Sequence, residues 1–281
     1  MNTIISGAGY VGLVAACCLA NSGDQVTCVE ANETKLKLLN RGELKLKSRF
    51  LKVIRKLGRS FFESDPLLYP LTGDRCIEYA FVIKSLIGLD KNKYKKVLDI
   101  GCAASPLTTI IKEIGFTVDG IDLLPSPYIY EGVNYIQGDF LSVELKNSLY
   151  DVVVLCSTVE HIGLEGRYGT PSIASGDIKA LEKVREVLNH DGILILTIPY
   201  GEERTIRPLH RVYNKNSKLI KYAYEKFEIL AEEFYKNNSA HVWGKCKEIE
   251  ARRVVPSEDN YALGLFVFRK KGNDGYYDSK K

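Results

Sequence analysis

Apolar residues in this chain fall into short runs bounded by turn residues, and helical patterns separate several of the runs. Five runs predict buried strands, at 96–100, 118–121, 133–136, 151–156 and 192–198. Patterns at 74–87, 106–114 and 176–188 predict helices. Strands that alternate with helices predict a mostly parallel sheet covered on both faces. Later runs at 227–230, 240–245 and 261–268 lack long crossovers, and they predict an antiparallel end to the sheet.

A separate βαβ pattern opens the chain. Residues 2–6 and 25–30 predict strands, and 10–21 predicts the helix between them. From residue 34 to about 59 the chain turns rich in lysine and arginine, with an amphipathic spacing near the end, which indicates a break between modules. The predicted organisation is a partial βαβ unit, a helical linker, a main domain and a disordered tail, at 1–45, 46–73, 74–270 and 271–281.

Composition narrows the functional classes. A chain of 281 residues with 45% hydrophobic content can build a core without metals or disulfides. The net charge of +4 is too small to imply a polyanionic partner such as nucleic acid. Seven scattered cysteines without a C-x-x-C spacing favour a reduced, cytoplasmic setting. The apolar run at 4–20 contains three glycines and has no basic flank, so it predicts neither a signal peptide nor a membrane span.

The first glycine motif is G-x-G-x-x-G, formed by Gly7, Gly9 and Gly12 between a predicted strand and helix, with Glu30 ending the next strand. Glycines let the backbone approach a pyrophosphate, and the acid binds ribose hydroxyls. These residues resemble the amino terminus of UDP-glucose dehydrogenases, which implies an NAD site. The resemblance stops near Leu44, before any catalytic cysteine segment or sugar-nucleotide domain. We therefore favour a structural add-on without a ligand and keep NAD binding as the alternative.

The second motif closes the predicted strand 96–100 and opens a helix at Ser105-Pro106. Its residues, Val97 to Ala103, resemble the hydrophobic-x-D-x-G-x-G signature of class I S-adenosylmethionine-dependent methyltransferases, and the resemblance covers about 75–268. It implies a doubly wound α/β fold with a mostly parallel, seven-stranded, Rossmann-like sheet. The family's last glycine is Ala103 here, and its Cβ narrows the approach to the methionine moiety.

The resemblance also implies roles for residues at successive strand ends. Asp99, Gly101 and Ala103 would hold the methionine and ribose, and Asp122 with Leu123 the ribose hydroxyls. Asp139 would face the adenine amino group, Phe140 would cover the ring, and Ser157 would lie at the ligand-binding edge. The alternative is that each of the three acids only caps a turn. Three acids in this order favour the cofactor interpretation.

Methyl transfer to a hydroxyl requires a group that removes its proton. His161 is the first candidate base and His210 the second, although a structural role is equally compatible with a lone histidine. Glu160-His161 resembles a stretch of ubiquinone-type O-methyltransferases, some of which bind a divalent ion. We assign no metal, because adjacent side chains on an extended segment point apart.

Two predicted loops, at 163–176 and 200–211, are candidates for the acceptor site, and the alternative for the second is a solvated basic loop. Arg204, Arg207 and Arg211 could bind an anionic group. The pattern from Glu160-His161 to Tyr213 resembles a methyltransferase branch linked to glycan genes, which implies a carbohydrate. The sequence predicts O-methylation of a small molecule, sugar or glycan. The alternatives are an NAD-dependent oxidoreductase and a non-catalytic nucleotide-binding or scaffold protein. Exposed strand edges in the βαβ unit make homo-oligomerisation a further hypothesis.

Overall fold

The computed structural model describes residues 2–6, 25–29, 74–103, 105–125, 132–145, 149–166, 168–237, 242–258 and 260–272. The predicted helix 10–21, the first glycine motif with Glu30, the linker 46–73 and nearly all of the predicted tail lie outside these residues. Two compact units are distinguished, Met1–Lys84 with His241–Trp243, and Ser85–Ala240 with Gly244–Lys281.

The first unit contains two strands that were predicted from the opening pattern. β1 (Asn2–Ser6) and β2 (Gln25–Val29) pair in parallel, with Asn2 opposite Gln25. Parallel strands require a crossover connection, as in a βαβ unit. Helix α1 (Asp74–Ile87) follows, and its bounds agree with the predicted helix.

The second unit is built on an eight-stranded sheet. Its strands are β3 (Lys96–Ile100), β4 (Thr117–Asp122), β5 (Asn134–Gln137), β6 (Tyr150–Cys156), β7 (Leu188–Tyr200), β10 (Phe227–Asn237), β11 (Trp243–Cys246) and β12 (Ala262–Lys270). The order is β11-β10-β12-β7-β6-β3-β4-β5. Strands β3 to β7 run parallel, and β12 is antiparallel to both β7 and β10. The predicted class is confirmed, but the strand number of seven is wrong because β11 extends the edge.

Helices and a small hairpin connect these strands. The helices are α2 (Leu107–Glu113), α3 (Gly176–Val187), α4 (Lys218–Lys226) and α5 (Glu248–Ala251). A 3-10 turn, Val159–His161, follows β6. The strands β8 (Arg204–Ile206) and β9 (His210–Val212) form a separate two-stranded antiparallel hairpin. Neither the hairpin nor α4 was predicted from the sequence.

The central strands are apolar because both of their faces are covered. Residues 152–155 of β6 and 193–198 of β7 are buried without interruption. Such continuous burial is typical of parallel strands with helices on both faces. The core therefore lies along the middle of the sheet, and polar groups collect at the strand ends.

The strand order reverses at β3. From β3 the chain adds β4 and β5 on one side, then returns to add β6 and β7 on the other. Ligands of open α/β sheets bind outside the carboxyl ends of the strands at such a point. The carboxyl ends of β3, β4, β5 and β6 therefore define where a site is expected. In the part of the chain that the structure describes, no helix is long and apolar enough to span a membrane.

Candidate functional site

The turn after β3 depends on Gly101. Its φ of +85° lies in the region that favours glycine, and a Cβ there would stand 2.3 Å from Oγ1 of Thr158. That hydroxyl lies 3.0 Å from the carbonyl oxygen of Ile100 and 3.1 Å from that of Cys156. Thr158 thus joins the ends of β3 and β6. Thr158 was not predicted as a site residue, although a hydroxyl residue just past a strand end was a usable signal.

Asp122 joins the turn after β3 to the end of β4. Its Oδ2 accepts the N–H of Ala103 at 2.8 Å, and its Oδ1 accepts the N–H of Leu124 at 2.9 Å. Leu123 lies between these contacts and is partly buried, and Ala103 is buried. An ionised carboxylate offers about four acceptor positions. Two acceptor positions therefore stay compatible with a diol such as the ribose hydroxyls.

Asp99 lies beneath the turn rather than at the open edge. Its side chain is 2% exposed, and its Oδ2 accepts the hydroxyl of Thr108 on α2 at 2.6 Å. Burial raises the pKa of Asp99 to about 6, and the charge of Asp122 adds to the rise while the Thr108 hydrogen bond opposes it. The structure therefore places two of the three predicted acids at the edge, and the third supports the turn from inside.

Asp139 and Phe140 follow β5. Gln137 pairs with Asp122 in the sheet, so Asp139 lies just beyond the same edge. Its Oδ1 accepts the N–H of Leu141 at 3.0 Å, which is a turn-capping contact. Phe140 is 5% exposed and belongs to the hydrophobic core. A core position does not fit the predicted role of Phe140 as a cover for the adenine ring.

The end of β6 carries backbone strain at a residue that is not glycine. Ser157 has φ +44°, a left-handed conformation that costs energy for residues with a Cβ. Its N–H donates to Oγ1 of Thr197 on β7 at 3.0 Å, which holds the conformation. Strained residues cluster at functional sites. This strain is the structural reason to keep Ser157 among the candidate residues.

His161 lies on the 3-10 turn directly after this edge. Its Nδ1 is 2.7 Å from the carbonyl oxygen of Leu209, and its Nε2 is 3.6 Å from Oε1 of Glu160. The ring of Tyr168 meets it edge-on at 5.6 Å between centroids. The His161 side chain is 14% exposed, and the Glu160 side chain is 2% exposed. The imidazole is thus oriented by the chain on one side and reaches solvent with a small part of its surface.

Arg211 on β9 holds the 3-10 turn in place. Its Nη1 donates to the carbonyl oxygens of Glu160 at 3.2 Å and of Ile162 at 2.9 Å. Its Nε lies 4.0 Å from Oδ2 of Asp177, which also accepts the hydroxyl of Tyr213 at 3.0 Å. Burial, followed by the charge of Asp177, raises the pKa of Tyr213 well above its usual value.

The three loop arginines have different environments. Arg204 and Arg207 are exposed, whereas Arg211 is partly buried and bound to the turn. His210, the second candidate base, is 6% exposed, and its ring packs edge-on against Tyr261 at 5.3 Å. The described residues include no group of three or more His, Cys, Asp or Glu side chains suited to a metal ion.

Two protein families match parts of this chain. Residues 1–64 match the UDP-glucose/GDP-mannose dehydrogenase family, NAD binding domain, and residues 140–258 match a family described as Caenorhabditis protein of unknown function, DUF268. The curated UDP-glucose 6-dehydrogenase of Pseudomonas aeruginosa is 50% identical over 44 residues, or 16% of this chain and 10% of that protein. The chain therefore spans about a tenth of that relative's length. The predicted amino-terminal resemblance is confirmed.

Two solved structures are similar to this chain. The (4+2)-cyclase SpnF has a TM-score of 0.50 at 13% identity, over 79% of this chain and 94% of that chain. The N-methyltransferase NodS from Bradyrhizobium japonicum, solved with S-adenosyl-L-homocysteine, has a TM-score of 0.48 at 16% identity, over 78% and 99%. At 13% identity the likeness to SpnF shows the fold alone, and the reaction must be argued from the site.

Proposed function

We propose that this chain is an S-adenosylmethionine-dependent methyltransferase that methylates an oxygen of a small molecule, sugar or glycan. The observation that carries the proposal is the group of Gly101, Asp122 and Ser157 at the point where the strand order reverses. A tight glycine turn, a carboxylate at the neighbouring strand end and a strained residue across β3 suit a nucleoside-like ligand. The antiparallel β12 agrees with the antiparallel end of the sheet that the later apolar runs predict.

The residues present fit the cofactor at this edge. In the proposal, the turn from Gly101 to Ala103 holds the methionine part, and Asp122 with Leu123 binds the ribose hydroxyls. Asp139 lies on the adenine side. When bound, the cofactor supplies a methyl group on a sulfonium. Asp99 keeps the turn in shape through Thr108, and Phe140 packs behind the site.

His161 is the proposed group that removes the proton from the acceptor. It lies on the turn that continues from Ser157 and Thr158, and Thr158 touches the cofactor turn. His210 is the weaker candidate because its ring is more deeply buried and packs on Tyr261. Arg204 and Arg207, exposed on the hairpin segment, are proposed to attract an anionic acceptor.

Calorimetric titration with S-adenosylhomocysteine tests the cofactor site. We expect binding to the wild-type chain and a loss of about tenfold or more in Asp122→Asn, because the amide keeps one acceptor oxygen where the carboxylate has two. Asp191→Asn is the matched control. Asp191 has φ +59°, a conformation that asparagine tolerates, and its Oδ2 lies 3.7 Å from Nζ of Lys93 and 3.4 Å from Nδ1 of His190, two exposed side chains. Absence of binding to the wild-type chain, or equal binding to Asp122→Asn, would contradict the proposal.

Turnover separates an enzyme from a binding protein. We expect transfer of radiolabelled methyl groups from S-adenosylmethionine to members of a panel of hydroxyl-bearing small molecules, sugars and glycans. Binding of S-adenosylhomocysteine with no transfer to any of them would favour a non-catalytic nucleotide-binding or scaffold protein instead.

NAD binding by the amino-terminal segment is a second candidate function. It is favoured by the family match over residues 1–64 and by the identity to a UDP-glucose dehydrogenase over 44 residues. NAD titration of the wild-type chain and of Glu30→Ala tests it. Tight binding that the substitution abolishes would support an NAD site, and no heat of binding would leave this segment with a structural role.

A further inference from the structure

The turn after β5, residues 138–143, is closed by its own backbone and joined to β4. The carbonyl oxygen of Asp139 accepts the N–H of Ser142 at 2.9 Å and the N–H of Val143 at 2.8 Å. The N–H of Gly138 donates to the carbonyl oxygen of Asp122 at 2.8 Å. These hydrogen bonds place the start of the turn beside Asp122, which is one of the acids of the proposed site.

Lys183 on α3 holds the other end of this turn. Its Nζ donates to the carbonyl oxygen of Leu141 at 3.3 Å and to the carbonyl oxygen of Val143. The same ammonium lies over the ring of Phe140, 5.2 Å from its centre, which is within the range of a cation–π contact. One side chain on α3 therefore contacts three residues of the turn that carries Asp139.

The charge of Lys183 also acts on the acid in the turn. Lys183 is partly buried, and burial lowers its pKa, while the negative charge of Asp139 is the largest effect that opposes the fall. The charges of Glu186 and Glu144 oppose it less. In return, a nearby cation favours the ionised form of a carboxylate, which only accepts hydrogen bonds. Lys183 thus favours Asp139 as an acceptor.

Asp139 has acceptor positions left for a ligand. Its Oδ1 accepts the N–H of Leu141 at 3.0 Å, and its Oδ2 lies 3.5 Å from Oγ of Ser142. An ionised carboxylate offers about four acceptor positions, so these contacts do not use all of them. A group that donates hydrogen bonds, such as an amino group, suits the positions that remain.

We propose that Lys183 is the positioning residue that makes the site prefer adenine over a purine without an amino group. The inference rests on the proposed function, in which Asp139 lies on the adenine side of the cofactor. Lys183 itself does not touch the ligand. It holds the turn so that the Asp139 carboxylate meets the amino hydrogens of adenine. A purine that lacks the amino group offers Asp139 no donor there, so a buried acceptor loses its partner.

Calorimetric titration with two ligands tests this role. The ligands are S-adenosylhomocysteine and its purine analogue, in which hydrogen replaces the 6-amino group. We expect the wild-type chain to bind S-adenosylhomocysteine tighter than the analogue by about tenfold or more, because the analogue lacks a hydrogen bond to a charged acceptor. In Lys183→Met, whose side chain is also unbranched, the ratio of the two affinities should fall to about twofold. A general loss of folded protein would lower both affinities alike and leave their ratio unchanged.

Lys179→Met is the matched control. Lys179 lies one turn earlier on α3 and is exposed, so its replacement should leave the affinity ratio at the wild-type value. Amide hydrogen exchange tests the contact of Lys183 with the turn in the absence of any ligand. In Lys183→Met, peptides that cover 138–143 should exchange faster by about threefold or more, and in Lys179→Met they should exchange at the wild-type rate.

Several outcomes would overturn the inference. A wild-type affinity ratio in Lys183→Met would do so, and so would unchanged hydrogen exchange across 138–143 in that variant. A wild-type chain that binds both ligands equally would overturn the role of Lys183 and leave the proposed cofactor in place. A wild-type chain that binds neither ligand would overturn the proposed function as well, so the wild-type titration distinguishes the two failures.

Discussion

Each oxygen of Asp122 accepts a backbone N–H, one from the turn after β3 and one from the turn after β4. The same side chain therefore shapes the edge of the sheet and offers its remaining acceptor positions to a ligand. Gly101 and Ser157 have left-handed conformations just after β3 and β6, two strands that pair in the sheet. For single residues at this edge, capping and binding are compatible roles.

Gly101→Ala should destabilise the fold strongly. Alanine at position 101 would be strained in the left-handed conformation, and its Cβ would lie 2.3 Å from Oγ1 of Thr158. We expect a loss of about 3 kcal/mol in the free energy of unfolding, measured by urea denaturation.

The matched control is Gly169→Ala. Gly169 has φ +69°, and no heavy atom lies within 4 Å of the place that a Cβ would take, so strain acts there without a clash. The expected loss is about 1 kcal/mol. Equal losses of unfolding free energy in the two variants would mean that the Thr158 side chain moves to accommodate the new Cβ. The contact with Thr158 would then not require glycine at position 101.

Asp99 should make stability depend on pH. Burial raises its pKa to about 6, whereas an aspartate in an unfolded chain titrates near 3.9. The folded chain binds this proton more tightly, so the Asp99 contribution to stability falls between about pH 4 and pH 6 and is constant above.

Asp99→Asn removes this titration. We expect the free energy of unfolding of Asp99→Asn, relative to wild type, to rise by about 2 kcal/mol from pH 4.5 to pH 7.5. Asp90→Asn, at an exposed carboxylate, serves as the control. If the difference in unfolding free energy between Asp99→Asn and wild type does not change with pH, folding does not raise the pKa of Asp99.

Among the secondary structure elements, the hairpin β8–β9 and the 3-10 turn are joined by hydrogen bonds. The hairpin segment supplies the Leu209 carbonyl to His161 and the Arg211 side chain to the turn. Neither β8 nor β9 exceeds three residues, too short for a periodic hydrophobic pattern to reveal. The contacts between them, and not local propensity, place His161.

Arg211→Ala should loosen the 3-10 turn. Two hydrogen bonds from a charged donor are lost, and such bonds contribute about 1.5–3 kcal/mol each. We expect amide hydrogen exchange in peptides covering 157–164 to accelerate by about tenfold or more, measured by mass spectrometry. Arg204→Ala, at an exposed position on the same hairpin, should leave exchange unchanged. Equal exchange rates in both variants would refute the role of Arg211.

For the molecule as a whole, the eight-stranded sheet and its core lie, apart from the first residue of β11, in a unit distinct from the amino-terminal strands. A chain that starts at residue 74 should therefore unfold cooperatively by circular dichroism. It should bind S-adenosylhomocysteine within about threefold of the full chain, as expected for a domain with its own core. Loss of cooperative unfolding would show that residues 1–73 are part of the fold of the main unit.

Local sequence was enough to establish the class of the sheet and most strand positions. Apolar runs bounded by turn residues are local signals, and buried parallel strands need such runs, so β3 to β6 were predicted within one residue of their bounds. β7 begins four residues before the predicted run and ends two residues after it. The sequence also identified the acids at or just after the strand ends, such as Asp122 and Asp139, because the first polar residues after an apolar run mark the end of a strand.

The neighbours of these side chains are determined by tertiary packing. Asp99 and Asp122 look alike in sequence, yet one lies under α2 beside Thr108 and the other at the edge. The orientation of His161 comes from Leu209 and Arg211, nearly fifty residues away along the chain. Side-chain direction depends on neighbours that are distant in sequence, and no local periodicity encodes those neighbours.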